Sequence, residues 1–301
     1  MTVVKDRKHF PDWLKKSLPS GGAAVETARL LERLKLPTIC QSARCPNIWE
    51  CFSRKIATIM ILGEQCTRNC RFCAVNDGTP VPVDQDEPHR VAQAVRELGL
   101  RHVVITSVTR DDLPDGGAAH FARAVAEILA VNGETTVEVL TPDFAGKTDV
   151  LRHIIEARPV IFGHNVETVP RLYPHVRRGA DYDRSLRLLE AVKEIAPNGL
   201  LTKSGLMVGL GETLDEVREV FHDLRRAGCD IITVGQYLQP TPQSLPVEEF
   251  VSPERFKELE EKALEMGFSG AFCGPFVRSS YLADRFVTKA GAGQLAGRKI
   301  E

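Results

Sequence analysis

The sequence predicts an α/β protein that is organised around a parallel β-sheet. From residue 57 onward, runs rich in Val and Ile alternate with segments of helical periodicity, and several of these runs are apolar throughout, as strands buried on both faces are. Such an alternation produces parallel strands joined by right-handed helical crossovers. Six β/α units are too few for a closed eight-stranded barrel. They fit a partial (β/α)6 barrel, with a doubly wound sheet as the alternative.

Six segments are predicted as strands, and each is followed by a predicted helix. The strands are residues 57–62, 102–107, 136–140, 160–166, 201–208 and 230–235. The helices are residues 88–98, 118–130, 147–156, 183–195, 214–227 and 253–266. Gly99, Gly133 and Gly228 lie just past three of these helices, where glycine commonly ends a helix in the left-handed conformation.

Extensions flank the predicted barrel on both sides. We divide the chain into an N-terminal extension at 1–56, which carries a cysteine-rich loop, the barrel at 57–268, and a C-terminal segment at 269–301. In barrels of parallel strands, chemistry takes place at the C-terminal ends of the strands. We therefore expect the polar residues that follow the six strands to share one rim.

The balance of charge limits the partners that this chain can have. Its 301 residues include 39 Lys and Arg against 40 Asp and Glu, and extended nucleic-acid binding needs a basic excess. No apolar run approaches the ~20 residues of a membrane span, and residues 1–16 lack the apolar core of a secretory signal. We expect a cytoplasmic monomer with neither nucleic acid nor membrane as a partner.

Cys66, Cys70 and Cys73 follow the first predicted strand with the spacing C-x3-C-x2-C. A [4Fe–4S] cluster normally takes four cysteines, so three leave one iron without a protein ligand, and a catalytic metal needs such an open position. A zinc knuckle and a cluster of buried cysteines are the alternatives. Zinc would require a fourth ligand nearby, and no His or Cys occurs in the next ten residues.

Cys40, Cys45 and Cys51 form a second triplet, with the spacing C-x4-C-x5-C. It is either a second, auxiliary iron–sulfur cluster or a zinc loop that a distant residue completes. Because no signal peptide accompanies the cysteines, metal binding in a reducing compartment is favoured over a disulfide framework.

The motif C-x3-C-x2-C with the aromatic Phe72 before its last cysteine resembles the signature of radical S-adenosylmethionine (SAM) enzymes. The resemblance implies the partial barrel, and it implies that SAM chelates the open iron and is cleaved to a 5′-deoxyadenosyl radical. The residues 205–212 are similar to the adenine-binding pattern of that superfamily. The SAM contacts that the resemblance implies are Phe72, Thr106, Asn165, Glu167, Arg178, Met207 and Gly209.

The two triplets, together with the motif Arg278-Ser279-Ser280-Tyr281, resemble the lipoyl synthase family over nearly the whole chain. This implies the insertion of two sulfur atoms, at C6 and C8, into an octanoyl chain on a lysine of a lipoyl-carrier protein. The carrier would be the E2 subunit of a 2-oxoacid dehydrogenase or the glycine-cleavage H protein. The electron donor would be a ferredoxin or a flavodoxin, and the auxiliary [4Fe–4S] cluster would supply the sulfur.

Ser280 is implied as the residue that completes the auxiliary cluster. Serine oxygen is a harder ligand than thiolate, and we expect its weak hold to let one iron leave during turnover. Adjacent side chains of an extended segment point to opposite faces, so Ser279 should turn away.

Two other functions stay open at this point. The first is another radical SAM enzyme with an auxiliary cluster, such as a biotin-synthase-like sulfurtransferase or a dehydrogenase. The second is a non-catalytic interaction module that binds zinc or a cluster. About eight irons per chain would distinguish the enzymes from a zinc module.

Overall fold

Seven parallel strands form the central sheet of the computed structural model, which describes residues 10–17, 22–196, 199–281 and 283–284. In spatial order the strands are β1 (Thr58–Ile61), β4 (His102–Ser107), β5 (Thr136–Leu140), β6 (Ile161–Gly163), β7 (Leu201–Val208), β8 (Ile231–Gln236) and β9 (Gly270–Gly274). Two short strands, β2 (Gln65–Cys66) and β3 (Asn76–Asp77), pair in the loop that follows β1. The spatial order follows the chain order throughout.

This strand order confirms the predicted α/β fold with a partial barrel. A doubly wound sheet reverses its strand order at a switch point, and this sheet does not. The sequence predicted six strands and missed β9, whose residues were assigned to the C-terminal segment. β9 pairs in parallel with β8, from Ile231 opposite Gly270 to Gly235 opposite Gly274. Its Gly, Ala and Cys residues carry little strand propensity.

Helices connect the strands and precede the barrel. Those between or after the main strands are α4 (Glu87–Leu98), α5 (Ala118–Val131), α6 (Leu151–Glu156), α7 (Tyr173–Val176), α8 (Tyr182–Ile195), α9 (Leu214–Arg226) and α10 (Pro253–Glu265). Those before the barrel are α1 (Ala23–Arg33), α2 (Ile39–Ser42) and α3 (Ile48–Ser53). Within the described part of the chain, none of the helices has both the length and the apolar character that a bilayer crossing requires.

The ends of α9 show how the sequence sets helix boundaries. The Thr213 side chain accepts a hydrogen bond from the Glu216 backbone while the Glu216 side chain accepts one from Thr213, a capping box that starts the helix. Its buried side chains recur every three or four residues, which packs one face into the core; they are Val217, Val220, Phe221 and Leu224.

Two of the three predicted glycine caps are confirmed. Gly99 and Gly228 adopt the left-handed conformation just past α4 and α9, with φ of 67° and 75°. Gly133 is wrong as a cap, because α5 ends at Val131 and is followed by Asn132 with an extended φ of −134°. The predicted start of α6 is also wrong by four residues, since a short 3₁₀ turn at Phe144–Gly146 precedes it.

Candidate active site

A cavity of about 470 Å³ opens at the C-terminal ends of the parallel strands. Its walls come from the two cysteine loops, from β4, β5, β7 and β8, and from the tail that follows β9. All six cysteines of the two triplets line it. Its volume lies within the ~300–1,000 Å³ typical of small-molecule sites. The two triplets therefore face one shared chamber.

The thiols of the first triplet accept hydrogen bonds from the backbone. Cys66 Sγ accepts from the N–H groups of Arg68 and Thr109, each at 3.4 Å. Cys73 Sγ accepts from the Val75 N–H at 3.4 Å. Hydrogen bonds to sulfur stabilise cluster thiolates and tune their potential, so this loop suits an iron–sulfur cluster.

Arg68, which lies between Cys66 and Cys70, fixes the loop to the strand ends. Its guanidinium donates to both oxygens of Asp111 at 2.7 and 2.9 Å, and to both oxygens of Asp143 at 2.7 and 2.9 Å. Burial alone would raise the pKa of Asp143, but the Arg68 guanidinium outweighs it and lowers that pKa to about 2. Bidentate pairs of this kind hold both partners in one geometry.

Burial also controls the protonation of the cysteines. It raises the pKa of the Cys51 and Cys70 thiols to about 12 and that of Cys40 and Cys73 to about 11. All eight cysteines are free thiols, and these four stay protonated at neutral pH without metal. Because iron binds the thiolate, cluster assembly must release protons and becomes more favourable as the pH rises.

The second triplet is carried by two short helices and the turn between them. Cys40 lies in α2, which the Thr38 side chain caps by accepting from the Gln41 N–H at 3.2 Å. Cys45 closes the turn, because its N–H donates to the Cys40 carbonyl at 2.9 Å. Cys51 lies in α3. Among the described residues, no three His, Cys, Asp or Glu groups surround one point as the ligands of a single metal ion would.

The tail that follows β9 crosses the cavity. Ser279 Oγ donates to Asn165 Oδ1 at 2.9 Å, at the end of β6. Ser280 lines both the large cavity and a small one of about 20 Å³ that Thr58 of β1 also lines, and Thr58 lies against the Cys40 thiol. The two serines thus face different ends of the site. The expected extended conformation is wrong, because Tyr281 N–H donates to the Arg278 carbonyl at 2.9 Å and closes a turn.

Five of the residues expected to contact SAM line the cavity; they are Phe72, Thr106, Asn165, Glu167 and Met207. Glu167 has the left-handed φ of 68° and is fixed over β7, since its N–H donates to the Gly205 carbonyl and its carbonyl accepts from Met207 N–H, both at 2.9 Å. The Asn165 amide donates to Glu167 Oε1 at 3.0 Å. Strain of this kind often marks a functional position.

Two of the expected contacts lie elsewhere. Arg178 is exposed and outside the cavity lining, whereas the buried Arg177 lines it. Arg177 Nη1 donates to the Asn165 carbonyl at 2.8 Å and to the Tyr173 hydroxyl at 2.9 Å. Gly209 also lies outside the lining, and a Cβ there would overlap the Gln236 side chain. Its role in this structure is close packing.

Two residues that hold the site were not predicted from the sequence. Arg178 rather than its neighbour Arg177 was predicted as the contact, because nothing in an Arg-Arg pair tells which member is buried. Arg68 had a usable signal, because it lies within the cysteine motif while aspartates follow two strands on the same rim. A cation inside a predicted cluster loop and carboxylates on that rim favour an ion pair.

Comparisons with known proteins agree with this geometry. Residues 60–224 match the Radical SAM superfamily. The chain is 57% identical to a lipoyl synthase of Caldanaerobacter subterraneus subsp. tengcongensis, over 94% of this chain and 97% of that protein. It is 51% identical to a lipoyl synthase of Rubrobacter xylanophilus, over 98% of this chain and 91% of the other.

Solved structures with low sequence identity share the fold. Methylornithine synthase (PylB) superposes with a TM-score of 0.53 at 14% identity, covering 83% of this chain and 81% of its own. HydG, a maturase of the [FeFe]-hydrogenase, superposes with a TM-score of 0.54 at 15% identity, covering 91% and 75%.

Proposed function

This chain belongs to the lipoyl synthase family of the radical SAM superfamily, and from that premise we propose how its residues divide the reaction. It forms the lipoyl cofactor by radical sulfur insertion and uses SAM and [4Fe–4S] clusters. The proposed substrate is an octanoyl chain on a lysine of a lipoyl-carrier protein, with sulfur entering at C6 and C8. The observation that supports this most is that both cysteine triplets line one cavity.

The first triplet is proposed to hold the SAM cluster. When bound, that cluster supplies the electron that cleaves SAM. Cys66, Cys70 and Cys73 provide three thiolates and leave an open position, as catalysis at a metal requires. The backbone N–H groups that donate to Cys66 and Cys73 would stabilise both sulfurs as ligands of that cluster. Arg68 keeps the loop in register with the strand ends.

The amino-acid part of SAM is proposed to lie against β6 and β7. The Glu167 carboxylate suits an ammonium group, and the Arg177 guanidinium suits a carboxylate. Both side chains line the cavity. The Asn165 amide nitrogen donates to the Glu167 carboxylate and orients it, while the Asn165 side-chain oxygen accepts a hydrogen bond from the Ser279 hydroxyl. In this proposal Arg177 replaces Arg178 as the cationic contact.

The second triplet is proposed to hold the auxiliary cluster, which is consumed as the sulfur-donating substrate. Cys40, Cys45 and Cys51 supply three ligands, and Ser280 supplies the fourth from the tail. Ser280 lines the small cavity beside Thr58, on the side of Cys40, which supports this choice over Ser279. A carbon radical held next to a bound sulfur reacts efficiently because the two are already oriented.

The carrier protein is proposed to stay outside the cavity while its acyl-lysine arm enters. Arg44 and Gln239 are exposed residues of the lining, and we propose that the arm enters beside them, between the second triplet and the segment after β8. The apolar side chains of Met60, Leu140 and Leu238 farther along the lining suit an eight-carbon chain. We further propose a 2-oxoacid dehydrogenase E2 subunit or the glycine-cleavage H protein as the carrier. Ferredoxin or flavodoxin is the proposed reductant, and the proposed enzyme is a cytoplasmic monomer.

Anaerobic turnover of an octanoyl-lysine peptide tests this function. The reconstituted chain, SAM and a reductant should give a product that has gained two sulfur atoms, as measured by mass spectrometry. The chain should carry about eight irons, as two cubanes require. Eight irons with SAM cleavage but no sulfur in the peptide would indicate another radical SAM activity. Bound zinc without SAM cleavage would indicate an interaction module.

A further inference from the structure

Three distant segments of the chain meet beside the second cysteine triplet. Lys16 comes from the N-terminal extension, Asn47 and Glu50 come from the triplet loop, and Phe276 and Tyr281 come from the tail. Asn47 lies two residues after Cys45, and Glu50 directly precedes Cys51. Phe276 and Tyr281 bracket Arg278, Ser279 and Ser280. We call the group of Lys16, Asn47, Glu50, Phe276 and Tyr281 the clasp.

Hydrogen bonds join these segments in a closed set. Lys16 Nζ donates to Asn47 Oδ1 and to Glu50 Oε2, both at 2.6 Å. The Asn47 amide nitrogen donates to the Phe276 carbonyl at 2.7 Å. The Tyr281 hydroxyl donates to Glu50 Oε1 at 2.8 Å. Each oxygen of the Glu50 carboxylate and each end of the Asn47 amide therefore has a partner on another segment.

The Lys16 ammonium also faces two aromatic rings of the tail. It lies 4.7 Å from the centroid of the Phe276 ring and 5.4 Å from that of the Tyr281 ring, within the range of cation–π attraction. Lys16 thus contacts both the triplet loop and the two ends of the serine-bearing turn. Its side chain is 27% exposed and that of Glu50 is 36% exposed, so water reaches this ion pair.

We infer that Lys16 is a positioning residue that closes the tail over the second triplet and thereby holds Ser280 within reach of its cluster. The inference rests on the proposed auxiliary cluster at Cys40, Cys45 and Cys51. The clasp residues all lie outside β1–β8, so Lys16 links the tail to the second triplet in addition to the contact that Ser279 makes with Asn165 at the barrel. The N-terminal extension therefore sets how firmly the sulfur-donating cluster is retained between turnovers.

Iron release tests this role. In full-length chains with Cys66, Cys70 and Cys73 changed to Ala, bound iron reports the second triplet, and its transfer to a chelator can be timed. Lys16→Met keeps the aliphatic stem but removes the donors, and should release iron about tenfold faster, since hydrogen bonds to charged groups are lost. Lys16→Arg should restore release to within about twofold, because a guanidinium also donates twice and stacks on aromatic rings.

Lys15→Met is the matched control, because Lys15 is exposed and, within the described part of the chain, its ammonium pairs with the nearby Asp12. It should release iron at the rate of the parent chain. In the intact enzyme, Lys16→Met should lower the amount of sulfur inserted per SAM cleaved. Simple loss of folded protein would lower sulfur insertion and SAM cleavage together and leave their ratio unchanged.

The possible outcomes separate the clasp from the proposed function. Equal iron release from Lys16→Met and the parent chain overturns the positioning role while the function stands. Equally fast release from Lys15→Met and Lys16→Met also overturns it. A parent chain that binds no iron at the second triplet overturns both the inference and the function on which it rests.

Discussion

The two cysteine triplets line the same cavity but are held by different parts of the molecule. Arg68 fixes the first to two aspartates on the rim of the sheet, through four hydrogen bonds of 2.7–2.9 Å. The second lies on α2 and α3 and is closed by the N-terminal extension and the tail. The first loop is fixed by side chains of the barrel, whereas the second, which also packs against β1 through Cys40 and Thr58, is closed by segments outside it.

This difference matches the different demands that we propose for the two clusters. The SAM cluster must keep its geometry through every turnover, and a buried bidentate ion pair permits few alternative geometries. The auxiliary cluster gives up its sulfur and must be rebuilt, so its surroundings have to open. The partly exposed contacts that Lys16 and Glu50 make are expected to open at a lower free energy than a buried sheet does.

The largest effect is expected when the first triplet is removed and the second is left intact. Replacing Cys66, Cys70 and Cys73 with Ala should abolish the formation of 5′-deoxyadenosine, because SAM loses the iron that it chelates, and should leave about four irons per chain. Chromatography of the nucleoside and an iron assay measure this. Continued SAM cleavage by the variant would place the SAM cluster elsewhere.

The tail serines test the closure of the second triplet. Ser280→Ala should lose lipoyl product because the auxiliary cluster loses its fourth ligand. Ser280→Cys should assemble both clusters yet stall at or before the second insertion, because thiolate holds iron more tightly than serine oxygen does. The yield of lipoyl product, measured by mass spectrometry, distinguishes these outcomes, and Ser279→Ala is the comparison variant. Normal product from Ser280→Ala with loss in Ser279→Ala would move the ligand to Ser279.

Gly235 tests whether the contact between β8 and the tail is needed to retain the auxiliary cluster. A Cβ at this position in β8 would overlap the Val277 carbonyl, so Gly235→Ala should push the tail away. Bound iron should fall from about eight toward about four per chain, as loss of one cubane requires. Gly133→Ala is the matched control, because a Cβ there meets no atom of the described residues within 4 Å. Full iron content in Gly235→Ala would show that the tail does not hold the cluster.

Arg68→Lys tests the anchor of the first triplet. Lysine keeps the charge but cannot make both bidentate pairs, so the buried Asp143 loses partners. The free energy of unfolding should fall by about 1–3 kcal/mol, as measured in urea. The exposed Arg218, paired with Asp215, offers Arg218→Lys as a control that should change it by less than about 0.5 kcal/mol. An unchanged value for Arg68→Lys would contradict the anchoring role.

The ion pair that anchors the first triplet should also make stability depend on pH. The folded pKa of Asp143 is about 2, below the ordinary ~3.9 of an unfolded aspartate. Its contribution is therefore fully present above about pH 5 and is lost as the pH falls through 4 toward 2, amounting to about 2–3 kcal/mol. Unfolding of Asp143→Asn should lack this part of the acid loss. If the free energy of unfolding fell in parallel with pH in the parent chain and in Asp143→Asn, this contribution of Asp143 would be refuted.

Much of the fold was predictable because strand–helix alternation is a strong signal. The uniform strand order follows from it, and α9 follows from its capping residues and apolar spacing. β9 was not predictable, because its small residues form a strand only by pairing with β8. The left-handed Gly99 was predictable, whereas Gly133 shows that a glycine near a helix end need not cap it.

The site was predictable where spacing carries the chemistry. Three cysteines in one short loop necessarily lie close to one another, so each triplet could be predicted as a set of ligands. In the structure all six cysteines line one cavity. The residues that position them were harder to find. Lys16 meets Glu50 across 34 positions and Tyr281 meets Glu50 across 231, and no local pattern reports contacts at such separations. The same holds for the difference between Arg177 and Arg178.

The central claim is that the second triplet provides the sulfur and the first triplet cleaves SAM. Clusters assembled with ³⁴S-sulfide, followed by one anaerobic turnover with an octanoyl-lysine peptide, test it directly by mass spectrometry. The account predicts ³⁴S at both positions of the product. A chain in which Cys40, Cys45 and Cys51 are Ala should leave the peptide without sulfur. Unlabelled sulfur in the product, or labelled product from that variant, would contradict it.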